Sequence, residues 1–415
     1  MADTLYIAGG QLPAEFLPGA AQSEPGFVRG EVLLRGERIV AVGLSPEAGA
    51  APTLDVSGGY VLPGFVDVHV HGADGRDTMD ADPAALDAMA RFFARHGVTA
   101  FLATTMTAAH APTLDAVRAV AAHGGKTPGG ARILGVHLEG PYLSPEFPGA
   151  QLASDIRPAN LVEFDELVEA GRGAGAVRMI TLAPEQPGAH DLIRAARRRG
   201  VTVVAGHTSA SYEQFEEAVA LGVSQATHTY NAMTGLHHRR PGALGAVLSD
   251  DRVDAQLIAD NIHVHPAAMK ILARCKGAHR TVLVTDAMRA AGLPPGEYEL
   301  GGQPVFVQEG MCRLVDGTLA GSVLTLERGL ANFMAAAGMS LAQAWPTAGR
   351  TPAASIGLGG ELGRIAAGYR GDLTVVDAQG EVIATVVDGR VAYVREAERL
   401  GGDGSYEHAL GPGGE

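Results

Sequence analysis

Eight short apolar runs separated by helical stretches restrict the folds open to this chain. The runs are Val61–Val70, Val98–Ala103, Ile133–Leu138, Val177–Leu182, Val201–Ala205, Ser224–Thr227, Ala255–Ala259 and Thr281–Thr285. Most of the gaps hold a segment such as Pro83–His96 or Tyr212–Leu221. Their apolar residues recur at three- and four-residue spacing, which places them on one face of a helix. Eight strands alternating with helices predict an α/β fold, a (β/α)8 TIM barrel, with the run near Ala255 the weakest member. A chain of 415 residues, 46% of them hydrophobic, has the length and apolar content for such a barrel plus an appendage. No repeat of 20–50 residues is present beyond the alternation itself.

The two ends read differently from the centre. Val32–Leu34 and Arg38–Gly43 are short β elements, with a hairpin turn expected at Gly36-Glu37. The style returns after about residue 352. There Gly371–Asp377 and Glu381–Asp388 are strand-like and flank a turn at Ala378-Gln379-Gly380. Residues 1–62 and 351–395 are expected to pair into one small, β-sandwich-like domain around a barrel at 63–350. The Gly- and charge-rich tail, 396–415, has little to bury and is expected to be mobile.

A net charge of −14 argues against nucleic acid and anionic membranes as partners, since neither polyanion would be drawn to it. No uncharged apolar run approaches the roughly 20 residues that span a bilayer. The N-terminal residues lack the basic start and apolar core of a signal peptide. Cys275 and Cys312 form no disulfide framework and lack metal-pair spacing, so reduced thiols in a cytoplasmic protein are expected.

The chemistry gathers where apolar runs give way to loops. The first run ends Asp67-Val68-His69-Val70-His71, and strand alternation places His69 and His71 on one face, opposite Val68 and Val70. A His-x-His alone is weak evidence, since two polar residues could simply cap a barrel. Its recurrence is stronger: Glu139 ends the third run, His207 follows the fifth, His228 the sixth and Asp286 the eighth. In a barrel these ends converge on one rim, where active sites sit. Four imidazoles and two carboxylates without thiolate suit divalent Zn or Fe, with Mn or Co possible. Glu139 has an oxygen for each of two ions. Such a centre supports hydrolysis, with Asp286 accepting the proton of water and returning it to a departing amine.

With those residues in view, the chain resembles the amidohydrolase superfamily, and within it the N-acetylglucosamine-6-phosphate deacetylases. The resemblance runs from Pro63-Gly64-Phe65-Val66-Asp67 to Gly371-Asp372-Leu373. Its most specific parts are His-Leu-Glu-Gly-Pro at 137–141, Thr-His-Thr-Tyr-Asn-Ala-Met at 227–233, Thr-Asp-Ala at 285–287 and Leu-Ala-Gly-Ser at 319–322. It implies that Glu139, His207 and His228 hold the principal metal and that Asp286 is the general acid and base. With His69 and His71 both present, it implies two metals per chain, bridged by Glu139. Where some members carry a histidine against the substrate carbonyl this chain has Gln151, and the second metal is expected to take over that polarisation.

The resemblance further implies a phosphorylated amino sugar as substrate. Its phosphate would meet the backbone N–H groups of Asn231 and Ala232, with His263 on phosphate or sugar and Leu319 also in the substrate site. Arg239, in Arg-Arg-Pro-Gly, matches an arginine that family members supply from the neighbouring subunit, which implies a homodimer. Amidohydrolases that bridge two metals with a carboxylated lysine fit less well, because none of Lys126, Lys270 and Lys276 ends an apolar strand. The 4-epimeric substrate, N-acetylgalactosamine 6-phosphate, is not separable at this level. A non-catalytic scaffold is disfavoured because no expected ligand is missing.

Overall fold

The computed structural model describes residues 4–17, 25–44, 51–172 and 176–401. Its centre is an eight-stranded parallel sheet curled into a barrel. The strands, each paired with the next, are Phe65–Val70, Val98–Thr105, Arg132–Glu139, Val177–Leu182, Thr202–Ala205, Val223–Ala226, Asp254–Ile258 and Thr281–Val284. The first and last meet just beyond Val284, where the Asp286 N–H donates to the His69 carbonyl and the His71 N–H to the Ala287 carbonyl, both at 2.9 Å. The closing seam is therefore built from the residues expected to carry chemistry.

Side-chain alternation sorts the strands into two apolar layers. Val136, Leu138, Ile180, Leu182, Val203 and Leu283 belong to the large core shared with the surrounding helices. Val66, Val68, Leu102, Met179, Val204, Ile258 and Val284 form a separate cluster inside the barrel. Some of the helices start at local signals. The Asp82 side chain caps Pro83–Arg95, and Ser211 and Gln214 form a reciprocal capping box on Tyr212–Leu221.

The first barrel strand departs from the expected alternation. Phe101 lies opposite Asp67, but Ala103 lies opposite Val70, so Val68 and His69 together face the single residue Leu102. Val68 consequently joins the interior cluster and Val70 the outer core, instead of sharing one face. The run Val61–Val70 also proves to be two strands. Tyr60–Pro63 pairs with Leu373–Val376 outside the barrel, and the barrel strand begins at Phe65. Gly64 makes the break, and a Cβ there would lie 2.1 Å from Thr99 Oγ1.

Both chain ends build the β portion. One sheet runs Leu400–Gly401, Thr53–Asp55, Thr4–Ala8, Glu31–Arg35, Arg38–Gly43. The other runs Arg390–Val394, Val382–Val387, Leu373–Val376, Tyr60–Pro63, Gln11–Pro13, Phe27–Arg29. Of the tail expected to be mobile, Leu400–Gly401 pair with Leu54 and Thr53, and 402–415 lie outside the described residues. Arg132, at the start of the third barrel strand, joins the two parts through Asp372 at 2.7 Å and through Asp388. A three-stranded sheet, Gly296–Leu300, Gln303–Gln308 and Met311–Arg313, follows the eighth strand and was not anticipated. Among the described residues, no helix is long and apolar enough to cross a membrane.

Candidate metal centre

At the C-terminal rim, Glu139 is the hub. Its Oε1 lies 3.3 Å from His69 Nε2, 3.2 Å from His207 Nε2 and 3.3 Å from His228 Nε2, and its Oε2 lies 3.2 Å from His71 Nε2. Asp286 Oδ1 stands 3.2 Å from His71 Nε2 and 3.5 Å from His69 Nε2. All six side chains are buried. Two groups of donors have metal-ligand spacing, His69, His71 and Glu139, and Glu139, His207 and His228. His207, His228 and Asp286 each follow a strand with left-handed backbone, φ 46°, 25° and 50°. Non-glycine residues rarely adopt that conformation, and it tends to persist where function requires it.

Hydrogen bonding tests whether a cation fits. His207 Nδ1 lies 3.0 Å from the Phe147 carbonyl, which only accepts, so Nδ1 carries the proton. That leaves Nε2, the nitrogen facing Glu139 Oε1 at 3.2 Å, as the atom a metal would take. His228 Nε2 faces His207 Nε2 at 3.0 Å, and His69 Nε2 is buried without a hydrogen-bond partner. Four ring nitrogens crowd one buried carboxylate, and positive charge, as protons or as a metal cation, has to lie between them. Metal–nitrogen bonds of about 2.0–2.1 Å set ligand atoms roughly 3.3 Å apart, close to the spacing here.

The electrostatics agree. Burial opposes charge on His69 and His71, but Glu139 and Asp286 outweigh it and hold both imidazoles above the ordinary range, His71 well above. Burial likewise opposes charge on the carboxylates. The surrounding imidazoles nevertheless keep Glu139 well below its usual value and Asp286 at about 2. His228 is lowered, chiefly by burial.

A cavity of about 490 Å³ opens onto this cluster and is lined by His71, Glu139, His207, His228 and Asp286 together with Gln151, Asn231, Ala232, His263 and Leu319. The expected site residues thus gather in one place, with two qualifications. The Asn231 N–H donates to the His228 carbonyl at 3.0 Å, closing the turn after the sixth strand. It is not available to a phosphate, whereas the Ala232 N–H makes no hydrogen bond among the described residues. Arg239 is exposed outside this cavity, with its guanidinium 2.8 Å from His238 Nε2.

The position of Asp260 and the bonds made by Asp67, Gln151 and His137 go beyond the sequence expectations. Asp260 Oδ2 lies 2.6 Å from His263 Nδ1, and its Oδ1 accepts the Ile262 and His263 N–H groups, a local Asx pattern that Asp260-Asn261-Ile262-His263 could have signalled. Asp67 accepts from Thr285 Oγ1 at 2.5 Å across the barrel seam, and its burial raises it to about 6. Gln151 Nε2 donates to Glu139 Oε2 at 2.6 Å while its Oε1 accepts the Thr107 N–H at 2.8 Å. His137, in the same motif as Glu139, stays out of the donor groups and bonds Thr181 Oγ1 at 2.8 Å.

Comparison with known proteins places this arrangement. A profile of the amidohydrolase family matches residues 60–392. The N-acetylglucosamine-6-phosphate deacetylase of Vibrio furnissii is 40% identical over 333 residues, covering 80% of this chain and 83% of its own. The N-acetylgalactosamine-6-phosphate deacetylase of Escherichia coli O157:H7 is 39% identical over 332 residues, 80% of this chain and 87% of its own. A solved structure of a mutant N-acetyl-D-glucosamine-6-phosphate deacetylase from Mycobacterium smegmatis, in complex with N-acetyl-D-glucosamine-6-phosphate, superposes with a TM-score of 0.85. It is 31% identical and covers 95% of this chain and 100% of its own. By profile, relatives and fold alike, the chain belongs to the amidohydrolase family, in the group that holds these deacetylases.

Proposed function

We propose that the chain hydrolyses N-acetyl-D-glucosamine 6-phosphate to D-glucosamine 6-phosphate and acetate. The observation that carries this reading is the pair of donor groups sharing Glu139 at one side of the cavity, with His263 and the Ala232 N–H also on its wall. Relatives named N-acetylglucosamine-6-phosphate deacetylase, at up to 40% identity, support the choice of substrate.

His69, His71 and Glu139 would hold one divalent cation, and Glu139, His207 and His228 a second, with Asp286 beside the first. Zinc or iron suits this nitrogen and oxygen set, and Mn or Co could replace them. When bound there, such cations supply Lewis acidity, lowering the pKa of water and polarising a carbonyl oxygen.

The remaining work falls to the chain's own groups. Asp286, held at about 2, is ionised at neutral pH and able to take the proton of water as it attacks the acetamide carbon. As the C–N bond breaks, Asp286 returns that proton to the nitrogen, and acetate and the free amine leave. His263, oriented by Asp260, and the Ala232 N–H receive the sugar phosphate, with Leu319 and Gln151 completing the wall. Arg239 of one copy would reach the site of a second, making a homodimer, and its exposure supports that reading. A cytoplasmic setting suits two unpaired cysteines.

One observation keeps a second substrate in view, because the N-acetylgalactosamine-6-phosphate enzyme is almost as similar, at 39%. Acetate release should be measured from both phosphorylated sugars and from unphosphorylated N-acetylglucosamine, with metal content read on the same sample. Turnover of the glucosamine derivative alone, with about two metals per chain, is the expected result for a binuclear centre. Preference for the galactosamine epimer would reassign the substrate, and no release from any sugar would end the deacetylase reading.

A further inference from the structure

The barrel interior beneath the metal centre is not wholly apolar. Beside Val66, Val68, Met179 and Ile258 lie two fully buried glutamines, Gln225 on the sixth strand and Gln256 on the seventh. They form one run of hydrogen bonds. Gln225 Nε2 donates to the Ser355 carbonyl at 3.1 Å, near the N-terminal end of the barrel, where Thr202 Oγ1 also donates to the same oxygen. Gln256 Nε2 donates to Gln225 Oε1 at 3.2 Å, and Gln256 Oε1 stands 3.2 Å from His69 Nδ1.

Each orientation in this run is forced by the one before it. A carbonyl oxygen only accepts, so Ser355 must face the NH2 end of Gln225. That turns the Gln225 oxygen toward Gln256, which has to answer with its own NH2. The Gln256 oxygen then faces His69 Nδ1, and Nδ1 must carry the hydrogen. His69 Nε2, which has no hydrogen-bond partner, is left as a lone pair on the Glu139 side. A metal ligand has to be the neutral ring, and without the run that ring could adopt either tautomer, the wrong one putting an N–H where a cation belongs.

We propose that Gln225 and Gln256 are positioning residues for the metal centre, a polar relay from Ser355 that holds His69 as its Nδ1–H tautomer and presets the His69, His71 and Glu139 group for a divalent cation. The inference rests on the metal-centre reading above and is independent of the sugar. Gln225 does not line the cavity, so it acts through Gln256 alone.

The test is Zn²⁺ affinity, measured on the full-length chain stripped of metal and titrated against a competing chelator. Removing a partner that orients a ligand typically weakens metal binding 10–100-fold, so Gln256→Met should weaken one of two equivalents by about that factor and spare the other. Gln225→Met should weaken the same equivalent, by about 3–30-fold. The double variant should bind no more weakly than Gln256→Met, because both changes break one run, whereas independent packing defects would multiply. Gln225→Glu, neutral in this buried setting, can donate to Ser355 and accept from Gln256, and should stay within about 3-fold of wild type.

Wild-type affinity in Gln225→Met, or a double variant whose loss is the product of the single losses, would overturn the relay. Should Gln225→Met fail to fold, Gln225→Glu and Gln256→Glu still decide, since both preserve the order of donors and a large loss in either would overturn it. A wild-type chain that binds no Zn²⁺ would overturn the metal-centre reading and the relay with it. That result is distinct from two tight equivalents unaffected by the variants, which would overturn the relay alone.

Discussion

Arg132→Met would test how the barrel and the terminal β sheets are held together. The guanidinium is about nine-tenths buried and lies 2.7 Å from Asp372, with Asp388 on its other nitrogen. Removing one partner of a buried ion pair costs about 3–5 kcal/mol, because the other charge stays buried without compensation. Two contacts limit the loss. Arg370 still reaches Asp388 at 2.7 Å, and the Asp388 N–H still donates to Asp372 Oδ1 at 2.7 Å. The deficit therefore centres on Asp372 and should fall near the lower end, about 3 kcal/mol, a large share of a typical 5–15 kcal/mol.

The pH dependence carries a definite sign. Burial already raises Asp372 above the usual carboxylate value, with Arg132 pulling the other way, so losing Arg132 raises it further. A carboxyl raised in the folded state favours folding while it is protonated, and that advantage is lost as pH rises through the folded pKa. The gap between wild type and variant should be full at pH 8 and narrow as pH falls through the raised value. Urea unfolding midpoints across that range measure it, and Arg132→Met/Asp372→Asn should recover most of the loss. A deficit below about 1 kcal/mol at pH 8, outside the range for a broken buried pair, would refute the reasoning, as would a gap that does not change with pH. Catalysis in the folded variant should be little changed. Arg132 and Glu139 lie at opposite ends of one strand, roughly 23 Å apart at 3.3 Å per residue, and only the C-terminal end carries chemistry.

Three further outcomes are expected at the site. Asp286→Asn should lower kcat by about 10²–10⁴ while Zn²⁺ remains at Glu139, His207 and His228, and near-wild-type turnover would remove Asp286 from its proposed role. His69→Ala should bind one metal fewer and lose activity at least about tenfold, so full activity with one metal bound would refute polarisation by the second cation. Arg239→Ala should raise KM for the phosphorylated sugar. If sites are shared across a two-fold dimer, mixing it with inactive Asp286→Asn chains should restore about one quarter of the sites, and no recovery would argue against a shared site.

The sequence displayed the barrel and the cluster of candidate metal ligands for related reasons. An interior strand is a local apolar run, and a parallel barrel brings all strand ends to one rim, so His69, Glu139, His207, His228 and Asp286 could be gathered without coordinates. What stayed hidden depends on neighbours far along the chain. Pro63-Gly64 marks the break between Tyr60–Pro63 and Phe65–Val70, but the apolar residues on either side read as one run, and it is the distant Thr99 that leaves no room for a side chain at 64. The strand Gln303–Gln308 does carry a local signal, with Val305 and Val307 buried and Phe306 between them exposed, but its partners are short strands set among glycines. Asn231 was assigned to phosphate by its place in a motif, whereas the left-handed turn after His228 commits its N–H to a carbonyl. Gln256 reaches His69 across 187 positions, and no local pattern records that contact. Ligand identity is therefore written along each strand, while the protonation of each ligand is decided between strands. A chain could keep every histidine of this motif and still bind metal weakly if Gln225 or Gln256 were replaced by an apolar residue, so metal affinity should follow the barrel interior as well as the rim.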